Sequence, residues 1–160
     1  PMRPVLSFRG GSGIDGTLSL AFGVAEASGA AVLVSGDLAL LHDSNGWLWR
    51  QRDGGRLAVL LIDNGGGGIF EQLPIRQSSP EPAVDFERLF AMPQAVDPLA
   101  LAAAHGVPGR EPGDSAALEH DLRWALAQPV ALLRLRCDRR VDAEQRRELR
   151  TMGAALTHRP

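Results

Sequence analysis

The stretch from Gly36 to Phe70 reads GDLALLHDSNGWLWRQRDGGRLAVLLIDNGGGGIF. It opens where one apolar run, residues 30–35 (AAVLVS), ends on Gly36-Asp37. It carries a second, residues 57–62 (LAVLLI), which ends on Asp63-Asn64 ahead of four glycines. Continuous apolar runs of this length are expected of strands covered on both faces of a sheet. Between them, residues 38–52 are predicted helical, with a weak point at Asn45-Gly46, and Asp53-Gly54-Gly55 is a turn. The unit is therefore strand, helix, strand, with parallel strands and a right-handed crossover. Asp37 and Asn64 stand 27 residues apart, each directly after a strand. Adjacent parallel strands bring them side by side at the carboxyl edge of the sheet, where such folds bind ligands. Glycines this dense weaken a chain unless the backbone must come close to something.

Outward from this unit, strands and helices keep alternating. A short strand is predicted over residues 5–8, a glycine-rich turn over 9–16, and a helix over 17–28 stopped by Gly29. Downstream, residues 65–68 form a loop and residues 76–82 an exposed, Pro-containing one. Short helices are expected at 85–90 and 98–105, and a strand beginning near Val107-Pro108. Then come a helix over 115–127, a strand over 130–136 and a charged helix over 142–156. The fold class is α/β: a doubly wound, mostly parallel sheet flanked by helices on both faces, in one domain over residues 1–160. The opening Pro1-Met2-Arg3-Pro4 enters a strand-like run at once, as a piece of a longer multidomain protein would.

The totals set limits. The chain of 160 residues suffices for one domain with a real core. A net charge of −2 offers no basic field for nucleic acid or an anionic membrane. All 17 basic residues are Arg, which suits anionic ligands. The single cysteine, Cys137, cannot form an internal disulfide and is expected to be a core thiol in a reducing, cytoplasmic setting. No apolar run reaches the ~18 residues a membrane span needs. His42, His105, His120 and His158 have no metal-ligand spacing, and Trp47, Trp49 and Trp124 are expected to pack. Residues 144–150 form a solvated helix face.

Two readings compete for the glycines. Gly11-Ser12-Gly13-Ile14-Asp15-Gly16 matches G-x-G-x-x-G between a strand and a helix, and Asp37 follows Gly16 by 21 residues at the end of the next strand. That is a dinucleotide fingerprint, with Asp37 for the ribose, and points to NAD. It leaves the second glycine cluster idle. The other reading uses both clusters. The Asp37 carboxylate and the Asn64 amide oxygen are hard donors suited to Mg²⁺, and the Gly66 carbonyl can add a third. The amides of Leu38 and Ala39, opening a helix, attract phosphate. Residues 65–68 let the loop approach a ligand. The sum is a metal-bridged diphosphate site.

This spacing resembles the thiamine-diphosphate motif: Gly-Asp closing one strand, then Asn-Asn or a variant some 25 to 30 residues later. GDL stands here for the usual Gly-Asp-Gly, and Asp63-Asn64 for Asn-Asn. The flanks FRGGSGIDGTLSLAFGVA, GDLALLHDSNG, IDNGGGGIFEQLP and FERLFAMPQ resemble the C-terminal domain of the SEPHCHC synthases (2-succinyl-5-enolpyruvyl-6-hydroxy-3-cyclohexene-1-carboxylate synthases) of menaquinone and phylloquinone biosynthesis. The resemblance covers residues 8–106 well.

It implies thiamine diphosphate with Mg²⁺ or Mn²⁺, and a transferase reaction in which 2-oxoglutarate is decarboxylated and added to isochorismate. It implies metal ligation by Asp37, Asn64 and Gly66, and cofactor contacts from Ser12, Ile14, Gly36, Asp37, Leu38, Ala39, Asn64, Gly66, Gly67, Gly68 and Ile69. Ile14 would prop the bent cofactor, Arg9 would meet a substrate carboxylate, and Ile69, Phe70 and Leu73 would wall the reacting carbons. The glutamate that helps activate the cofactor lies, in such enzymes, on a pyrimidine-binding domain of a second subunit. None of the eight Glu residues here has a matching context. The chain alone is therefore expected to be inactive, within a homodimer or homotetramer. A non-catalytic assembly domain of the same fold is a third reading.

Overall fold

The computed structural model describes residues 4–7, 13–51, 54–77 and 85–157. Helix α1 (Thr17–Ser28) enters from Gly16 in the left-handed region (φ 72°) and leaves through Gly29, also left-handed (φ 80°). Gly16 offers no side-chain cap. The acceptor comes from elsewhere: Asp43 accepts from the Ser19 amide at 2.7 Å and from its hydroxyl at 3.1 Å. Strand β1 (Ala30–Gly36) leads straight into α2 (Asp37–His42). The helix predicted over residues 38–52 breaks at Asp43 and continues as a 3₁₀ segment, Ser44–Gln51. Asp43, where the regular helix ends, turns its carboxylate to Ser19 of α1.

Strand β2 (Arg56–Asp63) is followed by a 3₁₀ turn (Gly68–Gln72), the single turn α3 (Pro74–Gln77) and a π-helical turn (Glu87–Ala91). The predicted exposed loop over residues 76–82 thus starts inside α3, and its remainder lies outside the described residues. Helix α4 (Pro98–Ala104) has Pro at its start and is capped by Asp97, which accepts from Leu99 N at 2.9 Å. The strand expected at Val107-Pro108 forms two residues later, as β3 (Gly109–Arg110). Helix α5 (Ser115–Ala127) and strand β4 (Val130–Arg136) fall where the pattern puts them. Helix α6 (Arg139–Thr157) begins three residues before the predicted start, because Asp138 accepts from the amides of Arg140 and Val141 and so caps it.

All pairings are parallel, in the order β1-β2-β4-β3. Leu33, Val59 and Leu132 share one row across the sheet. With Leu57 and Leu61 they meet Leu18, Ala25, Leu40 and Trp47, supplied by α1, α2 and the 3₁₀ segment, and Ala102 from α4. Full burial of each such Leu or Val contributes roughly 1.5–3 kcal/mol. Trp47 is fully buried, edge-on to Phe22. On the other face Ala58, Ala131 and Leu133 pack under Leu118, Leu122 and Ala125 of α5. Helices thus lie on both faces, as the doubly wound reading requires.

Beyond the reach of α5, Val32 and Val34 are 48% and 62% exposed, and β1 has a strand partner on one side only among the described residues. Residues 4–7 form no strand, and Val5 and Leu6 are exposed. The strand expected over residues 5–8 is therefore absent where it is described; Phe8 lies outside the described residues. Two further expectations are corrected. Trp49 is 44% exposed, a rim residue rather than a core one, and Cys137 is an exposed thiol just past β4. Among the described residues no helix is long and apolar enough to cross a membrane.

Candidate functional site at the carboxyl edge

Register places Gly36 opposite Ile62, so Asp37 and Asp63 emerge together at the end of β1 and β2. Asp37 is held on both oxygens. Leu38 N donates to Oδ1 at 2.8 Å, and Gly66 N donates to Oδ2 at 2.6 Å. The second bond spans 29 residues and fastens the end of β1 to the loop after β2. Burial pushes the Asp37 carboxyl above the usual carboxylate range; the two amides oppose this, and the neighbouring Asp63 adds to it. Asp63 itself is tied to Arg134 on β4, with contacts of 2.7 Å and 2.6 Å, and accepts from Gly65 N at 3.3 Å. Asn64 Oδ1 is buried and has no hydrogen-bond partner.

Three glycines of the loop have distinct reasons. Gly66 sits at φ 120°, where an L-residue is strained, and a Cβ there would overlap the Ala91 carbonyl oxygen. A Cβ on Gly67 would overlap the Phe90 carbonyl oxygen, and its amide donates to Ala91 O at 2.6 Å. A Cβ on Gly68 would meet Asn64 Nδ2 at 2.5 Å. What comes close to Gly66 and Gly67 is thus the backbone of the π-helical turn. Gly36 differs: nothing lies within 4 Å of its would-be Cβ, and its φ of −83° suits any residue.

Beneath the loop runs an ionic network that composition does not reveal. Glu71 has a side chain only 4% exposed, and its oxygens accept from Arg76 Nε at 3.0 Å and Arg139 Nε at 2.8 Å. Arg139 also donates to the Gly65 carbonyl at 3.0 Å and to Glu87. Arg140 reaches the other Glu87 oxygen at 3.0 Å. Burial is the largest single influence on the Glu87 carboxyl and raises it, but the hydrogen bonds and charges of Arg140 and Arg139 together outweigh this and hold it below the usual range. A cleft of about 490 Å³ opens at this edge, lined by Asp37, Asn64 and Gly65 on one side and by Arg134, Arg139 and Arg140 on the other.

The residues singled out in the sequence are distributed as follows. Asp37, Asn64 and Gly66 converge. The Gly66 carbonyl already accepts from Gly68 N at 2.8 Å, and the Leu38 amide is engaged by Asp37 itself. Ala39 follows in the same first turn of α2. Ile14 and Ile69 are 40% and 74% exposed, and Leu73 is at 36%. Phe70 turns inward, edge-on to Phe90 at 6.0 Å. Arg9, Gly11 and Ser12 lie outside the described residues. The dinucleotide reading of Gly11, Gly13, Gly16 and Asp37 loses its context among the described residues, since residues 4–7 form no strand before the glycine turn. Among the described residues no group of three or more His, Cys, Asp and Glu could hold a metal, so a cation here would rest on the amide and carbonyl oxygens as well. Asp63, Glu71, Arg134 and Arg139 were missed. The available signals were charge at a strand end in an apolar context, Asp63 and Arg134, and one glutamate inside a glycine-aromatic run, Glu71.

The parallel doubly wound sheet is a fold shared with solved structures of two decarboxylases. Benzoylformate decarboxylase from Polynucleobacter necessarius superimposes with a TM-score of 0.60 at 19% identity, over 76% of this chain and 23% of that one. The thiamine diphosphate-dependent 4-hydroxybenzoylformate decarboxylase of Rhodococcus jostii RHA1 gives 0.55 at 19% identity, over 74% and 21%.

In sequence the similarity is far higher to one enzyme, 2-succinyl-5-enolpyruvyl-6-hydroxy-3-cyclohexene-1-carboxylate synthase. The chain is 64% identical over 151 residues to that of Synechococcus sp. (strain CC9902), covering 93% of this chain and 26% of that protein. It is 59% identical over 150 residues to that of Parasynechococcus marenigrum (strain WH8102), covering 93% and 26%. For Thermosynechococcus vestitus (strain NIES-2133 / IAM M-273 / BP-1) the figure is 50% over 141 residues, 88% and 24%. The chain spans about a quarter of the length of these curated relatives. No family model matches it.

Proposed function

We propose that this chain is the diphosphate- and metal-binding portion of a thiamine-diphosphate-dependent SEPHCHC synthase. The observation that carries the reading is the bond from Gly66 N to Asp37 Oδ2 beside the unpartnered, buried Asn64 Oδ1. A buried oxygen without a partner costs roughly 1–3 kcal/mol, and a hard divalent cation is the partner an amide oxygen beside a carboxylate suits. The donor set thus fits Mg²⁺ or Mn²⁺, held by Asp37 and Asn64, with the Gly66 carbonyl free to offer its second lone pair. High identity to the named synthases over nearly the whole chain supports the same assignment.

Thiamine diphosphate supplies the carbanion chemistry that lets a 2-oxoacid lose CO₂ and join an acceptor. The chain's residues bind and orient. Asp37 and Asn64 would hold the cation, which would neutralise the diphosphate, and Gly36 leaves room for close approach. Ile14, Ile69 and Leu73 offer exposed apolar surface for the rings and reacting carbons, with Phe70 buttressing from below. Arg9 and Ser12 serve the substrate carboxylate and the cofactor. The substrates are 2-oxoglutarate and isochorismate, in menaquinone or phylloquinone biosynthesis in the cytoplasm. The activating glutamate comes from the pyrimidine-binding domain of a second subunit in a homodimer or homotetramer, so the chain alone turns nothing over.

Calorimetric titration of thiamine diphosphate, with and without Mg²⁺, tests the site. Mg²⁺-dependent binding that vanishes in Asp37→Ala is expected. Binding indifferent to both the metal and Asp37 refutes the assignment.

A further inference from the structure

We propose that Arg139 is a positioning residue for the loop of residues 65–68, setting the backbone on which the metal–diphosphate site depends. The inference rests on the function proposed above only for what the loop binds, not for how the loop is held. Arg139 opens α6 directly after β4, and its side chain is 14% exposed. Its guanidinium reaches three segments at once. Nη1 donates to the Gly65 carbonyl at 3.0 Å, Nε to Glu71 in the 3₁₀ turn at 2.8 Å, and Nη2 to Glu87 in the π-helical turn. These are the residue before Gly66, the turn after Gly68, and the turn whose Phe90 and Ala91 carbonyls the glycines pack against.

The loop therefore has two anchors on consecutive residues: Asp37 on the Gly66 amide and Arg139 on the Gly65 carbonyl. Between them they fix the peptide plane joining Gly65 to Gly66, at φ values of 75° and 120° that a free glycine has no reason to keep. The three acceptors are spread around a single planar fork. Arg presents five donors in fixed geometry, whereas the Lys ammonium is a point charge on a flexible stem and cannot span them. Glu71, buried and shared with Arg76, completes the clamp, since its second oxygen is already taken. A role confined to docking α6 would need the carboxylates but not the Gly65 carbonyl.

Removal of the whole side chain strands the buried Glu71 and threatens folding, so the test uses Arg139→Lys, which keeps the charge, beside Arg139→Gln. The control is Arg110→Gln, which deletes another partly buried arginine ion pair, with Asp121, far along the chain from the loop. Amide hydrogen exchange on the ligand-free chain decides the proposal. Both Arg139 variants are expected to speed exchange over residues 64–70 roughly tenfold, the effect of losing one charge-assisted bond to the loop. Exchange in the centres of β2 and β4 stays slow, and the Arg110 variant leaves the loop unchanged. Loop exchange unaltered in a folded Arg139→Lys protein, or equally faster in the Arg110 control, overturns the proposal.

Titration of thiamine diphosphate with Mg²⁺ is the second arm. A roughly tenfold weaker affinity in Arg139→Lys is expected. Affinity equal to that of the parent chain, where Asp37→Ala abolishes binding, overturns the positioning role. Binding that ignores Asp37 refutes the metal–diphosphate reading instead, and leaves the exchange result to judge Arg139.

Discussion

Two glycine-to-alanine substitutions separate packing from ligand approach. At Gly66 the φ of 120° costs an L-residue roughly 1–3 kcal/mol. Its methyl group would overlap the Ala91 carbonyl oxygen, a backbone atom that cannot swing aside and that also accepts from Gly67 N. Overpacking of this kind adds roughly 1–3 kcal/mol. The total, about 2–6 kcal/mol, lowers the melting temperature by several degrees or more in a chain of this size, where each kcal/mol is worth roughly 2–4 °C. At Gly36 the backbone is extended and the space empty, so alanine leaves stability unchanged or raises it by about 0.4–1 kcal/mol through the unfolded state. Thermal unfolding followed by circular dichroism, with titration of thiamine diphosphate and Mg²⁺ on both variants, reads the contrast. Gly66→Ala is expected to lose stability; Gly36→Ala is expected to keep stability and lose affinity. A Gly66→Ala protein that melts within a degree of its parent refutes the packing argument, and full affinity in Gly36→Ala refutes close approach at that strand end.

Arg134→Ala leaves Asp63, a largely but not fully buried carboxylate, without its counter-ion and should cost about 3 kcal/mol in urea unfolding, much of it recovered by adding Asp63→Asn. Asp37 gives a pH signature. Its carboxyl is raised in the fold, so its favourable contribution belongs to low pH and is lost as pH rises through the folded value; a dication offsets that loss. The gain in melting temperature from Mg²⁺ should therefore grow from pH 4 to pH 7, and Asp37→Asn should abolish the gain. Glu87, lowered by its arginines, and Asp138, lowered by the Val141 and Arg140 amides, act in the opposite sense. Their contribution is present above the ordinary carboxylate range and fades as pH falls below about 4, so exchange at the start of α6 should quicken there.

Periodicity placed β1, β2, β4, α1 and α5 because each is a long apolar or amphipathic run bounded by Gly, Pro or a capping residue. It overran Asp43, whose carboxylate serves a helix 24 residues away, a tie that no local pattern encodes. The placing of Asp37 and Asn64 at the carboxyl edge was legible because each directly follows an apolar strand. Glu71 and Arg139 were not, since they meet across 68 residues and neither stands in a recognisable spacing. The glycine cluster was legible as a place of close approach and misread in part as to cause: Gly66 and Gly67 meet the chain's own Ala91 and Phe90 carbonyls. The strand expected over residues 5–8 rested on composition alone, and residues 4–7 pair with no strand of the described sheet.

Among the described residues no strand pairs with the outer side of β1, and Val32 and Val34 are exposed with no charge or proline to guard that rim. Such a rim is a template. Any extended segment of matching register can join it and lengthen the sheet, whether from elsewhere in a longer polypeptide or from another molecule. In a preparation of this chain the same rim favours edge-to-edge self-association that rises with concentration, and a lysine at Val34 would be the simplest way to keep it in solution.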